Sequence, residues 1–191
     1  MSGDGNTLAV GARVEGGGAR GINGNQADNS AQYSGATYLF TWANGSWSQQ
    51  AYIKSSNSEA LDGFGYAVAL SVDGNVLVAS AYCEQSSARG SEGSQSDNSA
   101  RCAGAVYRFE RTGGLWAQTN YIKSSNTEAH DVFGAAVAIS GDGVTMLNLS
   151  HRRRQQRVGY RRQSVAQRPR VERRGLPHHS LRYGPPNAPD G

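Results

Sequence analysis

Short apolar runs bounded by turn residues recur along the first part of the chain. One run covers Tyr66–Ser71 and another covers Ala135–Ser140. A run of this kind is typical of a strand that is buried on both faces. After the first run, Asp73-Gly74 predicts a tight hairpin of type I′, in which both central residues have positive φ.

Three further strands are predicted after this hairpin, at residues 75–82, 104–109 and 116–123. A long polar loop, Glu84–Ala103, separates the first two of them, and a Gly113-Gly114 turn separates the last two. Polarity rises from the first strand of the unit to the fourth, as expected where the fourth is an exposed edge. The pattern therefore predicts four antiparallel strands per unit.

The unit recurs after 69 residues without a gap. Residues 2–70 and 71–139 are identical at 37 of 69 positions, and a third copy begins at Ser140. A fixed period of this kind indicates a duplicated structural unit. We therefore predict an all-β fold over residues 1–147, a partial β-propeller of four-stranded antiparallel blades. A β-helix would need shorter coils, and a Greek-key sandwich would not repeat at this length.

A short motif stands at the start of the first strand of each unit. Its residues are Asp62, Phe64 and Gly65 in one unit and Asp131, Phe133 and Gly134 in the next. Together with the Asp-Gly turns, and with Leu8–Ala12 in place of a closing Gly-Ala-Pro, this motif makes residues 1–147 resemble the FG-GAP repeat family, whose blades also form the head of integrin α chains. The resemblance implies a secreted or surface-exposed propeller with further blades, used for adhesion or ligand binding rather than catalysis.

The motif side chains are interpreted as structural, and no metal site is expected. Phe64 and Phe133 are predicted to pack between neighbouring blades. Asp62 and Asp131 are predicted to accept backbone N–H bonds in Asx-type turns. Integrin-type blades bind calcium through a loop rich in aspartate, because this cation takes roughly six to eight oxygen ligands. The turn at 71–75 holds one carboxylate, so we expect neither calcium nor another cofactor.

The long polar loop of each unit is the predicted place for a binding function, because loops at one end of a propeller line its binding face. Its amides and carboxylates could hydrogen-bond a sugar or coordinate a cation. The alternative is that they serve turns and tie adjacent loops together. The candidate residues are Asn23, Asn25, Gln26, Asp28 and Asn29 in the first unit and Gln95, Asp97 and Asn98 in the second.

Cys83 and Cys102 stand at the two ends of the second loop, where the first unit has Val14 and Tyr33. Cysteines at facing strand ends can form a disulfide when their Cα atoms come within about 7 Å. We predict that disulfide if the protein is exported to an oxidising compartment, the alternative being two buried thiols.

The charge of the chain is divided sharply. Residues 1–150 have a formal charge of −5, whereas residues 151–191 have 11 Arg against 2 acids. We interpret residues 148–191 as a disordered tail that arose when the third unit was translated out of frame, since shifted Arg codons give the Gly, Ala and Asp of the repeat. Clustered Arg also allows a basic-tailed nucleic-acid binder as an alternative, although we expect no nucleic-acid partner.

The sequence predicts a function in recognition. No nucleophile and base recur at a catalytic spacing, so we expect no enzyme activity in this chain. We expect an extracellular or cell-surface protein that binds protein or carbohydrate through its loops. A propeller domain of a larger secreted enzyme is the other alternative. No apolar run reaches the roughly 20 residues that cross a bilayer, and no export signal is expected in this stretch.

Overall fold

Every regular element in the part of the chain that the structure describes is a β-strand. This computed structural model describes residues 1–150, and the all-β prediction is confirmed there. The strands are β1 (Thr7–Ala12), β2 (Ala36–Ala43), β3 (Ser46–Ile53), β4 (Phe64–Leu70), β5 (Val76–Ala81), β6 (Ala105–Thr112), β7 (Leu115–Ile122), β8 (Phe133–Ile139) and β9 (Met146–Ser150).

The strands form three antiparallel sheets, in the orders β1-β2-β3, β4-β5-β6-β7 and β8-β9. Each strand pairs with its sequence neighbour, so that each sheet is a simple meander. The first two sheets share fine detail as well. The bulge between Leu39 and Phe40 recurs between Arg108 and Phe109, at the equivalent pair of residues. The two copies of the sequence therefore form the same local structure.

Neighbouring sheets contact one another through their inner strands, because β4 packs against β1 and β8 packs against both β4 and β5. Residue 65 at the start of β4 lies against the preceding sheet. A Cβ there would overlap the carbonyl oxygen of Ala36, and its φ is +76°. Only glycine fits both conditions, which gives the Phe-Gly motif a structural explanation.

The hydrophobic core is centred on the second sheet and its contact with the first. Phe64 is fully buried and meets the rings of Tyr107 and Phe109 edge-on, with centroids 5.5 and 6.0 Å away. Edge-to-face pairs of this kind add to the free energy of burial. The buried cluster comprises Leu39, Ala51, Ile53, Phe64, Leu77, Ala79, Ala81, Ala105, Tyr107, Phe109, Trp116 and Tyr121.

One turn differs from its predicted geometry. The 113–114 turn has two positive φ values, 57° and 83°, as a type I′ hairpin requires. At Asp73-Gly74 only Gly74 has a positive φ, 68°, so the type I′ prediction is wrong there. The reason is local. The Asp73 carboxylate accepts bonds from the Asn75 N–H at 3.0 Å and from the Ser71 hydroxyl at 2.6 Å, a side-chain turn that leaves Asp73 at negative φ.

Two predictions reach the end of the described range. Strand β9 continues to Ser150, three residues beyond the predicted end of the repeat region. The predicted frameshifted tail from residue 151 onward lies outside the described residues. Within residues 1–150, no helix is long and apolar enough to cross a membrane.

Candidate functional site: the loop end of the sheets

The long loops leave the sheets at one common end. In the first sheet Ala12 pairs with Ala36, and in the second Phe64 and Ala105 both pair with Ala81. Segments 13–35, 54–63, 82–104 and 123–132 therefore gather at this end, which we call the loop end. The short turns at 44–45, 71–75 and 113–114 lie at the opposite end, which we call the turn end. Within residues 1–150 the loop end has the longest irregular segments, which makes it the candidate binding surface.

Two predicted residues of the first loop make structural hydrogen bonds, Asn23 to a strand and Asp28 within the loop. Asn23 adopts a left-handed conformation with φ 56°, and its Oδ1 accepts the Tyr52 N–H at 3.0 Å. Asp28 accepts the N–H groups of Gly18 and Ser30 at 2.8 and 2.9 Å. The Ser30 hydroxyl is the leading cause of the lowered pKa of Asp28. These contacts are local ties within the protein.

The other three predicted residues of that loop are exposed, and the side chain of each makes one hydrogen bond among the described residues. Asn25 Oδ1 accepts the Ala27 N–H at 3.0 Å, and Asn29 Nδ2 donates to the Ala27 carbonyl at 3.3 Å. Gln26 Oε1 accepts Gln49 Nε2 at 3.1 Å. Each keeps hydrogen-bonding capacity toward solvent. Asn25, Gln26 and Asn29 are therefore the part of the predicted set that could meet a ligand.

The second loop is tied to the preceding unit. Asn98 Nδ2 donates to Glu59 Oε2 at 2.7 Å. Asn57 Nδ2 donates to the backbone carbonyl oxygen of Gln95 at 3.1 Å. Gln95 Oε1 also accepts the Ser56 hydroxyl. Both residues thus join one repeat to the next across segment 54–63.

Asp97 stabilises the second loop from within. It accepts the N–H groups of Ser87 and Ser99 at 2.7 and 3.0 Å. Hydrogen bonds from Ser87, through its hydroxyl first and then its N–H, lower the pKa of Asp97 to about 2. Asp28 and Asp97 are equivalent residues with equivalent contacts, so this carboxylate serves the same structural purpose in both loops.

A buried ion pair, which the sequence pattern did not predict, lies beneath each loop. Lys54 Nζ lies 2.8 Å from Glu15 Oε2, and Lys123 Nζ lies 2.6 Å from Glu84 Oε2. Both lysine side chains are fully buried. Burial lowers the pKa of each lysine, and the neighbouring carboxylate opposes that shift. The available signal was the recurrence of both partners at the 69-residue offset.

The repeated motif lies at the contact between sheets. The Asp62 carboxylate accepts the Glu59 N–H at 2.9 Å, and Asp131 accepts the Glu128 N–H at 2.8 Å. Each aspartate thus holds the backbone three residues before it, unlike an Asx turn, which forms with later residues. Burial raises the pKa of Asp62 to about 7. The predicted bond to a backbone N–H fits this geometry. The predicted Asx-type turn is wrong, because the N–H belongs to an earlier residue in the chain.

The two motif phenylalanines pair with the loop before them. The Phe64 N–H donates to the Ser34 carbonyl at 2.9 Å, and the Phe133 N–H donates to Ala103 at 2.8 Å. Phe64 is fully buried, whereas Phe133 is only partly buried. The adjoining Gly134 has φ 87°, as Gly65 has φ 76°. The motif therefore builds the junction between sheets and presents no group for a ligand.

The second loop is closed by the predicted disulfide between Cys83 and Cys102. Val14 and Tyr33 occupy the equivalent places in the first loop and are exposed. No group of three or more His, Cys, Asp or Glu side chains could hold a metal ion within residues 1–150.

The fold and this site define a class of protein in which antiparallel meanders repeat and expose long loops at one end. Residues 47–109 match the family model of the FG-GAP repeat. The matched segment runs from β3 to β6 and includes the junction at Phe64. The match is consistent with the resemblance to the FG-GAP repeat family. No curated protein matches the chain.

Proposed function

We propose that the chain is part of a β-propeller in which each meander is one blade of a 69-residue repeat. The observation that carries the proposal is that β4 packs against β1 of the preceding sheet in the same way that β8 packs against β5, the strand equivalent to β1. In a propeller the first strand of every blade lies nearest the central axis, so it contacts the inner strands of the blade before it. The FG-GAP match, which includes the junction between two sheets, supports the same arrangement.

The propeller acts outside the cell as a recognition domain without catalytic activity. The Cys83–Cys102 disulfide supports this location, because such bonds persist in oxidising compartments. Support for recognition comes from the loop end, where segments from successive sheets form one surface. Titratable residues there, such as Glu84 and Lys123, are buried and paired with each other, which suits a structural purpose.

The loop end binds an extracellular protein or a carbohydrate. Asn25, Gln26 and Asn29 support this assignment, since exposed amides can donate to and accept from the same hydroxyl or peptide group. Their hydrogen bonds within the protein are single and exposed, so a ligand can replace or extend them at small cost.

The test is a binding screen with one variant at each end of the sheets. The full chain, produced with its disulfide, would be applied to a glycan array and to a panel of extracellular matrix proteins. Asn25→Ala combined with Asn29→Ala removes two exposed amides at the loop end. Leu115→Ala at the turn end is the control, because Leu115 is 78% exposed and is the first residue of β7, directly after the 113–114 turn.

We expect the double variant to weaken any binding found by about tenfold, or roughly 1.4 kcal/mol, and the control to leave it unchanged. Loss of binding in the control alone would move the site away from the loops. Failure of the unaltered chain to bind on either array would reject recognition through this surface.

A further inference from the structure

A cleft of about 340 Å³ opens between the first and second sheets, beside the disulfide and outside the predicted loop residues. Its volume is at the small end of the range for ligand sites, enough for one ring with a charged group. Its lining combines two arginines with apolar and aromatic side chains and contains no carboxylate. The lining residues are Arg13, Val14, Tyr33, Leu61, Gly63, Tyr82, Cys83 and Arg101.

The two arginines of the cleft have no carboxylate within ion-pair distance among residues 1–150. Arg13 lies over the ring of Tyr66, 6.0 Å from its centroid, and that ring packs against Tyr82 at 4.7 Å. By contrast, Arg20 and Arg108 each pair with a glutamate. The cleft thus has two positive charges whose planar donors can bind an acid in a bidentate manner.

The walls of the cleft are apolar and unusually exposed. Val14, Tyr33 and Leu61 are 57%, 45% and 54% exposed. Tyr33 and Leu61 also have left-handed backbone conformations, with φ 58° and 74°, which cost free energy in residues other than glycine. A ligand with an apolar body would cover these side chains and bury area that water now covers.

We propose that this cleft binds a carboxylate attached to an aromatic or aliphatic body. Arg13 and Arg101 bind the carboxylate, while Leu61, Tyr33 and Val14 contact the body. A guanidinium attracts an anion more strongly in a partly enclosed cleft than in open water, because the effective dielectric constant is lower. The same chemistry can come from a free organic acid or from an acidic side chain beside an apolar one in a peptide.

This site is separate from the exposed amides of the loop end. It is formed by residues in the loops of the first and second sheets. Binding in the cleft could therefore fail while recognition through Asn25 and Asn29 succeeds, and the reverse also holds. The two proposals are tested by different variants.

The test is a titration of the full chain, labelled with ¹⁵N, in which NMR follows the arginine Nε–Hε signals. Phenylacetate supplies the free acid, and phenylacetamide is its neutral match. Acetyl-Phe-Asp-Leu-amide supplies the peptide source, and acetyl-Phe-Asn-Leu-amide is its match. We expect saturable shifts of Arg13 and Arg101 at millimolar concentration, with each neutral match at least about tenfold weaker. Tighter binding of the peptide would identify a protein source, and tighter binding of phenylacetate a free acid.

Variants separate the cleft from general charge. Arg13→Gln and Arg101→Gln should each weaken binding at least about fivefold, or roughly 1 kcal/mol. Arg89→Gln is the matched control, because Arg89 is exposed on the same loop and does not line the cleft. An equal loss in Arg89→Gln, equal binding of the neutral matches, or the absence of saturable shifts would overturn the proposal.

Leu61→Gly provides a second variant that keeps the fold. Glycine is favoured at φ 74°, so this change should leave the unfolding midpoint unchanged or higher while it weakens phenylacetate binding. A purely structural role for Leu61 predicts unchanged binding, and that result would contradict the assignment of this wall.

Discussion

The buried lysines of the two repeats are equivalent in sequence but differ in their partners. Lys54 donates to Glu15 and, at 2.6 Å, to the Ser34 hydroxyl. In the second repeat Ala103 replaces that serine, and Lys123 donates to Glu84 alone among the described residues. Glu84 is held in turn by the Tyr121 hydroxyl at 2.9 Å. The first pair is satisfied within its own sheet.

The second pair also receives a contact from the repeat before it. Asn57 Nδ2 donates to Glu84 at 3.1 Å, and Asn57 Oδ1 accepts the Tyr107 hydroxyl at 2.7 Å. The Glu84 side chain is 1% exposed, compared with 11% for Glu15. A neighbouring sheet on that side therefore completes the burial of the ion pair, and equal sequences acquire unequal environments.

The outer strands show the same contrast. Trp116 is 8% exposed, and its Nε1 donates to Gln50 of the preceding sheet at 3.0 Å. The equivalent Trp47 is 41% exposed, and its ring packs on Trp42, with ring centroids 5.5 Å apart. Contact with a preceding sheet, rather than residue identity, decides whether this tryptophan is core.

The largest effect should come from removing one buried lysine. Lys123→Met leaves Glu84 buried without its counter-charge, and we expect a loss of about 3–5 kcal/mol in the free energy of unfolding. Lys54→Met should cost less, about 1–3 kcal/mol, because Glu15 reaches solvent. Urea unfolding of both variants measures the difference. Adding Glu84→Gln to Lys123→Met should recover part of the loss. Equal losses in the two lysine variants would remove the contrast between the repeats.

Loss of the disulfide should have the next largest effect. Cys83→Ser with Cys102→Ser opens a loop with a sequence separation of 19 and should cost roughly 3 kcal/mol in the chain-entropy model. Val14→Cys with Tyr33→Cys introduces cysteines at the equivalent places in the first repeat. These cysteines should form a second disulfide, because both loops have the same local structure. Non-reducing peptide mapping and thermal melts report both results. Two alkylatable thiols in that variant would show that the loops differ.

The turn-end glycines test the contact between sheets. Gly5 and Gly74 are equivalent and have φ 75° and 68°. A Cβ at Gly5 would meet nothing within 4 Å, whereas one at Gly74 would lie 2.7 Å from Thr7 Oγ1. Gly5→Ala should cost about 1 kcal/mol from backbone strain. Gly74→Ala should cost about 1–3 kcal/mol more from overpacking, measured by chemical unfolding. Equal losses in Gly5→Ala and Gly74→Ala would mean that the first sheet shifts away from the added methyl group without a cost in free energy.

The last predicted effect is a dependence of the free energy of unfolding on pH, which should come from Asp62. Burial raises its pKa to about 7 in the folded state, above the ordinary 3.8, so the folded chain binds this proton more tightly than the unfolded chain. Stability from this group therefore falls as pH rises from about 4 to 7, by at most about 1.4 kcal/mol per unit. Asp62→Asn should flatten that slope in unfolding measured across this range. An unchanged slope would assign it to other groups.

The sequence pattern was enough to predict the strands and their antiparallel pairing, and the cysteines at facing strand ends were enough to predict the disulfide. The pattern could not predict the environment of Trp47 or Glu15. Both depend on contact with a preceding sheet, which the repeat pattern treats as equal in every copy. The wrong turn type at Asp73 arose because its carboxylate accepts hydrogen bonds from the Ser71 hydroxyl and the Asn75 N–H.

The candidate sites were only partly predictable. The loop was located by its polarity, yet polarity could not separate an amide that bonds to a strand, such as Asn23, from one that bonds only within the loop, such as Asn25. The cleft was missed because it is assembled from three segments, near residues 13, 61 and 101, which approach only when two sheets pack. The distribution of charge along the sequence did not indicate that Arg13 and Arg101 line one cleft.

The disulfide also makes the second loop a natural frame for displaying foreign peptides. Its two ends are fixed where β5 ends and β6 begins, so a change of length between them need not disturb either strand. Ser96 is exposed, and its hydroxyl contacts only that of Ser94 among the described residues. A peptide inserted there would be held at both ends by a covalent bond. Libraries grafted at this point would keep a constrained conformation on a small all-β scaffold.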